Sequence, residues 1–385
     1  MNSQNSIDVC VIGAGDVLSR YAQGLATWGA QPPPPVRIRT IVDLKAPEQT
    51  REFISPWPQL GQASILRLED PSPAVLVDLL RAHGLMSHWI IVATPTQFHV
   101  PYGCALLEAG ARVALEKPLA LNARHLRELE ATVARVGRQS LFLFGYYALE
   151  RGLALRVLGA AGDVDDAYLT ALSPNWTGVQ WAELRGALGQ LMRIDGVILE
   201  GSGPAGTLDH RPWVLDPMSG GNTLETFYHL VCLATALVEP GAELAIDNVQ
   251  IATHAATAEW YRQRHGREAA ETRTAASLRL GGVPVRLEAT KYAEAPQRWM
   301  SADFSGGRVL TDFETSTLQV SVGGRSLPFS LVMPDRYATQ LSLLAAQGAG
   351  QLARSEFGLF GEALRHTLAI RQAGLDGARV GPRWA

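Results

Sequence analysis

Between Ser87 and Leu121 the apolar positions change period twice within about 35 residues, near the minimum for a parallel crossover unit. Trp89–Ala93 is a short unbroken apolar run, which predicts a strand buried on both faces of a parallel sheet. Thr94-Pro95-Thr96 interrupts it. From His99 to Ala109 the apolar residues Val100, Cys104 and Leu107 fall at helical spacing, Gly110 ends the helix, and Arg112–Leu115 returns as a second buried strand. Glu116, Lys117 and Pro118 follow at that strand's carboxyl end. Open parallel sheets bind their ligands outside the carboxyl ends of the strands, so a lysine held there by a following proline is positioned for chemistry.

The same alternation begins at the N-terminus. Ile7–Ile12 predicts a strand that runs into Gly13-Ala14-Gly15-Asp16-Val17-Leu18, with a helix over Ser19–Trp28. The two glycines allow a tight turn, and the backbone N–H groups from Gly13 to Val17 can approach a pyrophosphate at the helix N-terminus. The third position of this dinucleotide fingerprint, normally Gly or Ala for close helix–strand packing, is Leu18. The fingerprint alone is weak evidence; followed by strand, helix and strand it becomes strong. The second strand, Val36–Val42, ends in Asp43, an acid that accepts hydrogen bonds from adenosine ribose hydroxyls and favours NAD over NADP. Its distance from Gly15 exceeds the usual ~20 residues because the Pro32–Pro35 run inserts a stiff connector. Two readings stay open here: Asp43 as a solvated strand-end carboxylate, and Lys45 as a partner for a 2′-phosphate instead of a plain surface lysine. Asp70–His83 predicts a helix with Pro71 in its first turn, and Ser140–Phe144 a further strand before Gly145-Tyr146-Tyr147 and Arg151.

From Asp163 the pattern changes. Ala167–Leu172, Val249–Thr253, Ala275–Leu280, Val283–Thr290, Arg298–Phe304, Gly307–Asp312 and Thr317–Val322 predict consecutive strands, with turn signals such as Gly281-Gly282 and Gly323-Gly324 between several of them. Residues 335–373 return to helix, as Tyr337–Gln347 and Phe357–Ala373. The expected fold class is therefore α/β, with a Rossmann dinucleotide-binding domain over residues 1–146 and an α+β domain over residues 147–385. The second domain carries a large, mostly antiparallel open-faced sheet whose free face suits oligomerisation as a dimer or tetramer.

Composition narrows the classes. The chain has 385 residues, 47% hydrophobic and 18% charged, enough for two globular domains. A net charge of −3 gives no electrostatic case for nucleic acid or an anionic membrane as partner. Cys10, Cys104 and Cys232 all fall in apolar patterns, which suits buried thiols in a reducing compartment. With no transmembrane run, and an N-terminus lacking the basic and apolar regions of a signal peptide, the expected location is the cytoplasm.

TPTQFH, the Ala-Gly before the next strand and Glu-Lys-Pro after it resemble the Gfo/Idh/MocA family of nicotinamide-dependent oxidoreductases, strongly over residues 7–145. The resemblance implies an NAD(P) cofactor, with Thr94, Pro95, His99 and Glu116 at its site and Lys117 contacting both the nicotinamide ribose and the substrate. It implies that residues after the last strand, Tyr146 and Arg151 among them, line the substrate pocket. Packing for Tyr147 and Leu149, and a solvated hinge position for Arg151, are equal alternatives.

Further on, Gly220-Gly221-Asn222-Thr223-Leu224-Glu225-Thr226-Phe227-Tyr228-His229 resembles the family's GGxxxDxxxH motif, with Glu for the usual Asp. Four-residue spacing on a helix puts Glu225 and His229 on one face. Two structural readings compete: Asn222 and Glu225 as a capping-box-like pair, and His229 as a core histidine beside Phe227 and Cys232. A single Glu-x3-His supplies too few ligands for zinc, so no metal is expected. Trp176, Trp181, His210, Arg211 and Trp213 offer aromatic faces and charge to a sugar-like substrate, or ordinary packing.

The resemblance implies hydride transfer between nicotinamide and a secondary alcohol or ketone of a sugar, polyol or related small molecule. Lys117 and His229 are expected to converge across a cleft. A histidine titrates near neutrality unaided, so proton transfer is assigned to His229, with Lys117 hydrogen-bonding the reacting oxygen and Glu225 orienting substrate hydroxyls or the imidazole; the reverse assignment, with Lys117 transferring the proton, stays open. Two alternatives on the same fold are a non-catalytic cofactor-binding sensor and an NAD-assisted glycosidase.

Overall fold

The computed structural model describes residues 6–28, 34–146, 155–156, 158–159, 181–201, 212–313, 317–330, 335–348 and 357–378. It divides into two compact units, Met1–Tyr146 with Val332–Gly358, and Tyr147–Leu331 with Leu359–Ala385.

The first unit alternates strand and helix: β1 (Ile7–Ile12), α1 (Asp16–Ala26), β2 (Val36–Asp43), α2 (Pro47–Ile54), β3 (Ser64–Arg67), α3 (Pro73–Ala82), β4 (Trp89–Val92), α4 (His99–Glu108), β5 (Arg112–Leu115), α5 (Ala123–Val136) and β6 (Leu141–Leu143). Its six strands are all parallel, in the order β3-β2-β1-β4-β5-β6. The central strands are apolar along their length because helices cover both faces; Val9 to Val11 and Ile90 to Val92 are fully buried. Strand order reverses between β1 and β4, so the turns after these two strands flank the crevice in which such sheets bind nucleotides.

The helices start where their caps permit. α3 begins three residues later than the periodicity predicts, because the Asp70 side chain accepts from Ser72 N in a turn and Ser72 then caps Val75 N, with Pro73 in the first turn. In α5, Asn122 caps His125 N and Leu126, Leu129 and Val133 form the buried stripe.

The helix Arg336–Gly348 corrects the expected division, which assigned it to the second domain. It belongs to the first unit because its polar groups are spent there: Gln340 Oε1 accepts from Gly145 N (3.2 Å) and Tyr146 N (3.3 Å), and Gln347 Nε2 donates to the Leu141 carbonyl (3.0 Å). α1 lies so close that a Cβ on Gly24 would stand 2.8 Å from Ala338 N.

The second unit holds α6 (Trp181–Leu188), β7 (Leu191–Gly201), a π-helical turn (Thr223–Phe227), α7 (Tyr228–Leu237), β8 (Leu244–Ala252), α8 (Ala255–His265), β9 (Arg273–Leu280), β10 (Val283–Thr290), β11 (Tyr292–Phe304), β12 (Gly307–Asp312), β13 (Thr317–Val322) and β14 (Arg325–Ser330). Eight strands form one sheet in the order β14-β13-β12-β11-β7-β10-β9-β8, antiparallel except for β7 beside β10. α7 is buried along its whole length and settles on the sheet at Gly196, where a Cβ would meet Leu230 at 3.1 Å and Met300 at 3.0 Å. The helix Phe357–Ala378 closes on the other end at Gly374, against Ile251 and Val249. The predicted strand Ala167–Leu172 lies outside the described residues. No described helix is long and apolar enough to cross a membrane.

Candidate functional site

The fingerprint turn is built from both neighbouring strands. Gly13 N donates to the Val42 carbonyl (2.8 Å), and a Cβ on Gly13 (φ +106°) would stand 2.5 Å from the Ala93 carbonyl oxygen at the end of β4. Only glycine fits there. Asp43 Oδ2 accepts from Ala14 N (2.5 Å) and Oδ1 from Lys45 N (2.8 Å), while Lys45 Nζ donates to the Ala14 carbonyl (2.8 Å). Asp43 and Lys45 thus hold the two backbone groups of Ala14, its N–H and its carbonyl.

Gly15 is different. It caps α1 in an extended conformation (φ −112°, ψ −169°), and nothing lies within 4 Å of where its Cβ would be. This open space before the helix N-terminus, bordered by Asp16 and Val17, is a cradle of the kind a pyrophosphate occupies against backbone N–H groups. Leu18, the departure from the fingerprint, is fully buried, so the third position is filled by core packing.

The turns after β4 and β5 are tied to one another by His99. Its Nδ1 lies 2.8 Å from the Pro118 carbonyl oxygen and its Nε2 2.8 Å from that of Thr94, so one buried ring joins the Thr94-Pro95-Thr96 turn to the Glu116-Lys117-Pro118 turn. Two carbonyl acceptors favour an imidazolium, but burial, with the Lys117 charge nearby, outweighs them and holds the pKa of His99 below the ordinary histidine value. The Lys117–Pro118 peptide bond is cis.

Glu116 is nearly inaccessible and faces the core of its unit: the hydroxyls of Tyr21 and Tyr146 both donate to Oε1, and Lys117 N donates to Oε2 at 3.1 Å. Burial raises its pKa, while the tyrosine bonds and the Lys117 charge pull the other way. Both phenols are pushed well above the ordinary tyrosine range, first by burial and then by the Glu116 charge, so they remain donors. Tyr146 adopts a left-handed conformation (φ +47°) and packs against Phe144 and Tyr337. Tyr21 was missed in the sequence. The usable signal was a tyrosine on the buried stripe of α1, since a buried hydroxyl needs a partner.

In the second unit, Gly220 (φ +89°) and Gly221 (φ +64°) bring the chain to the motif. A Cβ on Gly221 would stand 2.5 Å from the Glu271 carboxyl, and Asn222 N donates to the Glu271 carbonyl (2.9 Å). The Glu271 carboxylate is gripped by Arg371, at 2.9 Å to Oε1 and 3.2 Å to Oε2. Neither Glu271 nor Arg371 was singled out from the sequence.

Two expectations are corrected here. Asn222 is not half of a capping pair: its backbone is already helical and its Nδ2 donates to the Ala289 carbonyl (2.9 Å). The motif also opens as a π-helical turn over Thr223–Phe227 before α7 continues, a geometry that recurs at functional sites. Glu225 Oε2 accepts from Lys291 Nζ (2.6 Å) and Thr226 Oγ1 (2.5 Å), and Lys291 also donates to Glu200 (2.6 Å). His229, one turn on, is 5% exposed.

Lys117 belongs to the first unit; Glu225 and His229 belong to the second. Arg151, Trp176, His210 and Arg211 lie outside the described residues. Trp181 opens α6, and Trp213 lies in a short 3-10 turn, Pro212–Leu215.

Residues 7–144 match the family described as GFO_IDH_MocA, an oxidoreductase family with an NAD-binding Rossmann fold. This stretch is similar to that family's NAD-binding Rossmann domain. The match spans the interlocked turns after β1, β4 and β5. No curated protein matches the chain by sequence. Over the full length the fold resembles several solved structures. A levoglucosan dehydrogenase in complex with NADH and levoglucosan is 16% identical, covering 97% of this chain and 98% of its own, with a TM-score of 0.69. A 3-ketoreductase from Actinomadura kijaniata, in complex with NADP and TDP-benzene, is 18% identical over 96% and 98%, with a TM-score of 0.64. A UDP-N-acetylglucosamine 3-dehydrogenase from Acidithiobacillus ferrooxidans is 18% identical over 96% and 98%, with a TM-score of 0.62.

Proposed function

We propose that the protein oxidises a secondary alcohol, or reduces the corresponding ketone, on a sugar, polyol or related polyhydroxylated compound, using NAD(P) with NAD preferred. The observation that carries this reading is the interlock at the carboxyl ends of β1, β4 and β5: Gly13 against Ala93, and His99 between Thr94 and Pro118, with Lys117 emerging from the same turn. The like folds of sugar-acting dehydrogenases support the substrate class.

The open cradle at Gly15 and the N-terminus of α1 fit a dinucleotide pyrophosphate, with Ala14, Asp16 and Val17 beside it, and Asp43 fits the adenosine ribose. Thr94, Pro95 and Lys117 would complete that site. When bound, the cofactor supplies the hydride acceptor or donor. The chain supplies the rest. His229 takes the hydroxyl proton in oxidation and returns it in reduction, Lys117 donates to the reacting oxygen, and Glu225 orients neighbouring hydroxyls. Glu116, held by Tyr21 and Tyr146, fixes the Lys117 backbone. Arg151 and Trp176 are assigned to substrate recognition, and the open face of the eight-stranded sheet to a homo-oligomer of a cytoplasmic enzyme.

The test is a two-step titration. NAD⁺ and NADP⁺ are first compared by thermal shift, and the tighter cofactor is then combined with levoglucosan, inositols and free hexoses while reduced nicotinamide is followed by absorbance. Substrate-dependent accumulation of the reduced cofactor is expected. Cofactor binding with no net reduction across the panel would favour a sensor or a redox-assisted glycosidase, and tighter binding of NADP⁺ would remove the preference assigned to Asp43.

A further inference from the structure

One charged group in the second unit has no part in the reaction assigned above. Lys291 stands between β10 and β11, one residue beyond the pair Thr290–Leu199, which brings it beside Glu200 on the parallel neighbour β7. Its side chain is 5% exposed, against 21% for Glu200 and 22% for Glu225. The ammonium lies 2.6 Å from a carboxylate oxygen of each, and Arg298 on β11 approaches the other oxygen of Glu200 at 3.4 Å. Among the described residues, two carboxylates and two cations meet in this cluster. Glu225 is the member that also belongs to the helical motif bearing His229.

A buried ammonium is expensive to desolvate and remains only where carboxylates compensate it. Burial alone would lower the pKa of Lys291, but the charges of Glu225 and Glu200 outweigh it and leave the group above the ordinary lysine range. The cation is therefore permanent at any pH at which an enzyme works, and it sits against the carboxylate oxygen that Thr226 also contacts.

We propose that Lys291 is a positioning residue for Glu225: its ammonium keeps that carboxylate ionised and fixed, so Glu225 serves as a hydrogen-bond acceptor for substrate hydroxyls and takes no part in proton transfer. The role for substrate rests on the proposed oxidoreductase reading; the coupling of the two charges does not. A Glu225 that changed protonation during turnover would disturb Glu200 and Arg298 through the shared lysine, whereas a fixed anion orients hydroxyls without reorganisation.

The coupling is tested first in the full-length protein labelled with carboxyl-¹³C glutamate, the Glu225 signal being identified by its loss in Glu225→Gln. Glu225 should titrate at least one pH unit higher in Lys291→Met than in the wild type, a tenfold change in proton affinity. Should Lys291→Met alone not fold, the charge-matched pair Lys291→Met with Glu225→Gln should fold, and Glu225→Gln by itself still reports on substrate. With levoglucosan or inositol as probe, Glu225→Gln and Lys291→Met should each raise KM about tenfold or more while leaving cofactor affinity unchanged and the pH profile of kcat in place. The double variant should be no worse than the poorer single. An unchanged Glu225 titration in Lys291→Met overturns the proposal, as does a kcat profile that loses an ionisation in Glu225→Gln. If the wild type turns over nothing in the panel, the oxidoreductase reading fails, and the carboxylate titration still decides whether Lys291 holds Glu225.

Discussion

Gly13 and Gly15 stand two residues apart in one turn, yet their substitution should damage different things. Gly13→Ala forces a side chain into φ +106° and sets its Cβ 2.5 Å from the Ala93 carbonyl oxygen, a backbone atom in the ordered end of the sheet. Strained backbone costs about 1–3 kcal/mol, and overpacking costs a similar amount. Taking about 3 kcal/mol, the unit that holds the turn should melt about 6–12 °C lower. Gly15→Val meets open space from an extended conformation that any residue adopts. The poorer cap costs about 0.5–1 kcal/mol, so melting should change by about 1–4 °C. Binding is another matter, because the valine occupies the cradle. Losing even one charge-assisted hydrogen bond to a phosphate, about 1.5–3 kcal/mol, weakens the dinucleotide by about 10- to 100-fold. Differential scanning fluorimetry without ligand and a fluorescence titration with reduced dinucleotide separate the two effects. A Gly15→Val protein that binds the dinucleotide as tightly as the wild type would refute the reasoning, and so would a Gly13→Ala protein with wild-type melting.

Arg371→Ala leaves the Glu271 carboxylate, 4% exposed, without its cation. At the low end for a broken buried pair, about 3 kcal/mol, melting should fall by about 6–12 °C, and adding Glu271→Gln should recover most of that; equal melting of the single and double variants would sink the argument. The depressed pKa of His99 means that the folded ring stays neutral while the unfolded one takes up a proton below about pH 6.5, so this group's contribution is present above that value and lost as the pH falls. His99→Gln should therefore flatten the fall in melting temperature between about pH 7 and pH 5. Identical slopes for variant and wild type would show that His99 is not the source. His229→Ala and Lys117→Met should each lower kcat by about 10²–10⁴-fold in a folded protein, and His229→Ala should retain cofactor affinity. Near-normal turnover in His229→Ala would remove it as the proton-transfer group.

What was legible in the sequence follows from what controls each element. The strands β1, β4 and β5 are apolar runs because helices cover both faces, and a run needs no knowledge of its neighbours to be seen. β7 was missed although it lies in the middle of its sheet, because Asp195 and Gly196 break its pattern. The glycine is there for Leu230 and Met300, contacts the local sequence does not contain. β14 and β3 are edge strands at the ends of their sheets; β14 carries Pro328 within it, and β3 offers only two apolar residues, Ile65 and Leu66, to the pattern.

The site divides along the same line. The glycines, His99, Lys117, Glu225 and His229 fall in motifs, while the groups that hold them are set by pairing across the sheets and helices. Tyr21 reaches Glu116 from 95 residues away, and Arg371 reaches Glu271 from 100. Lys291 meets Glu200 only because β10 runs parallel to β7 with Thr290 opposite Leu199; one step of register would turn its side chain to the other face of the sheet. Its partner Glu225 carries a further methylene beyond the aspartate of the related motif, and a longer arm at that position needs something to fix its end. The ammonium 2.6 Å away does so. The motif residue and its restraint are thus one device, of which sequence periodicity exposes the first half and strand register supplies the second.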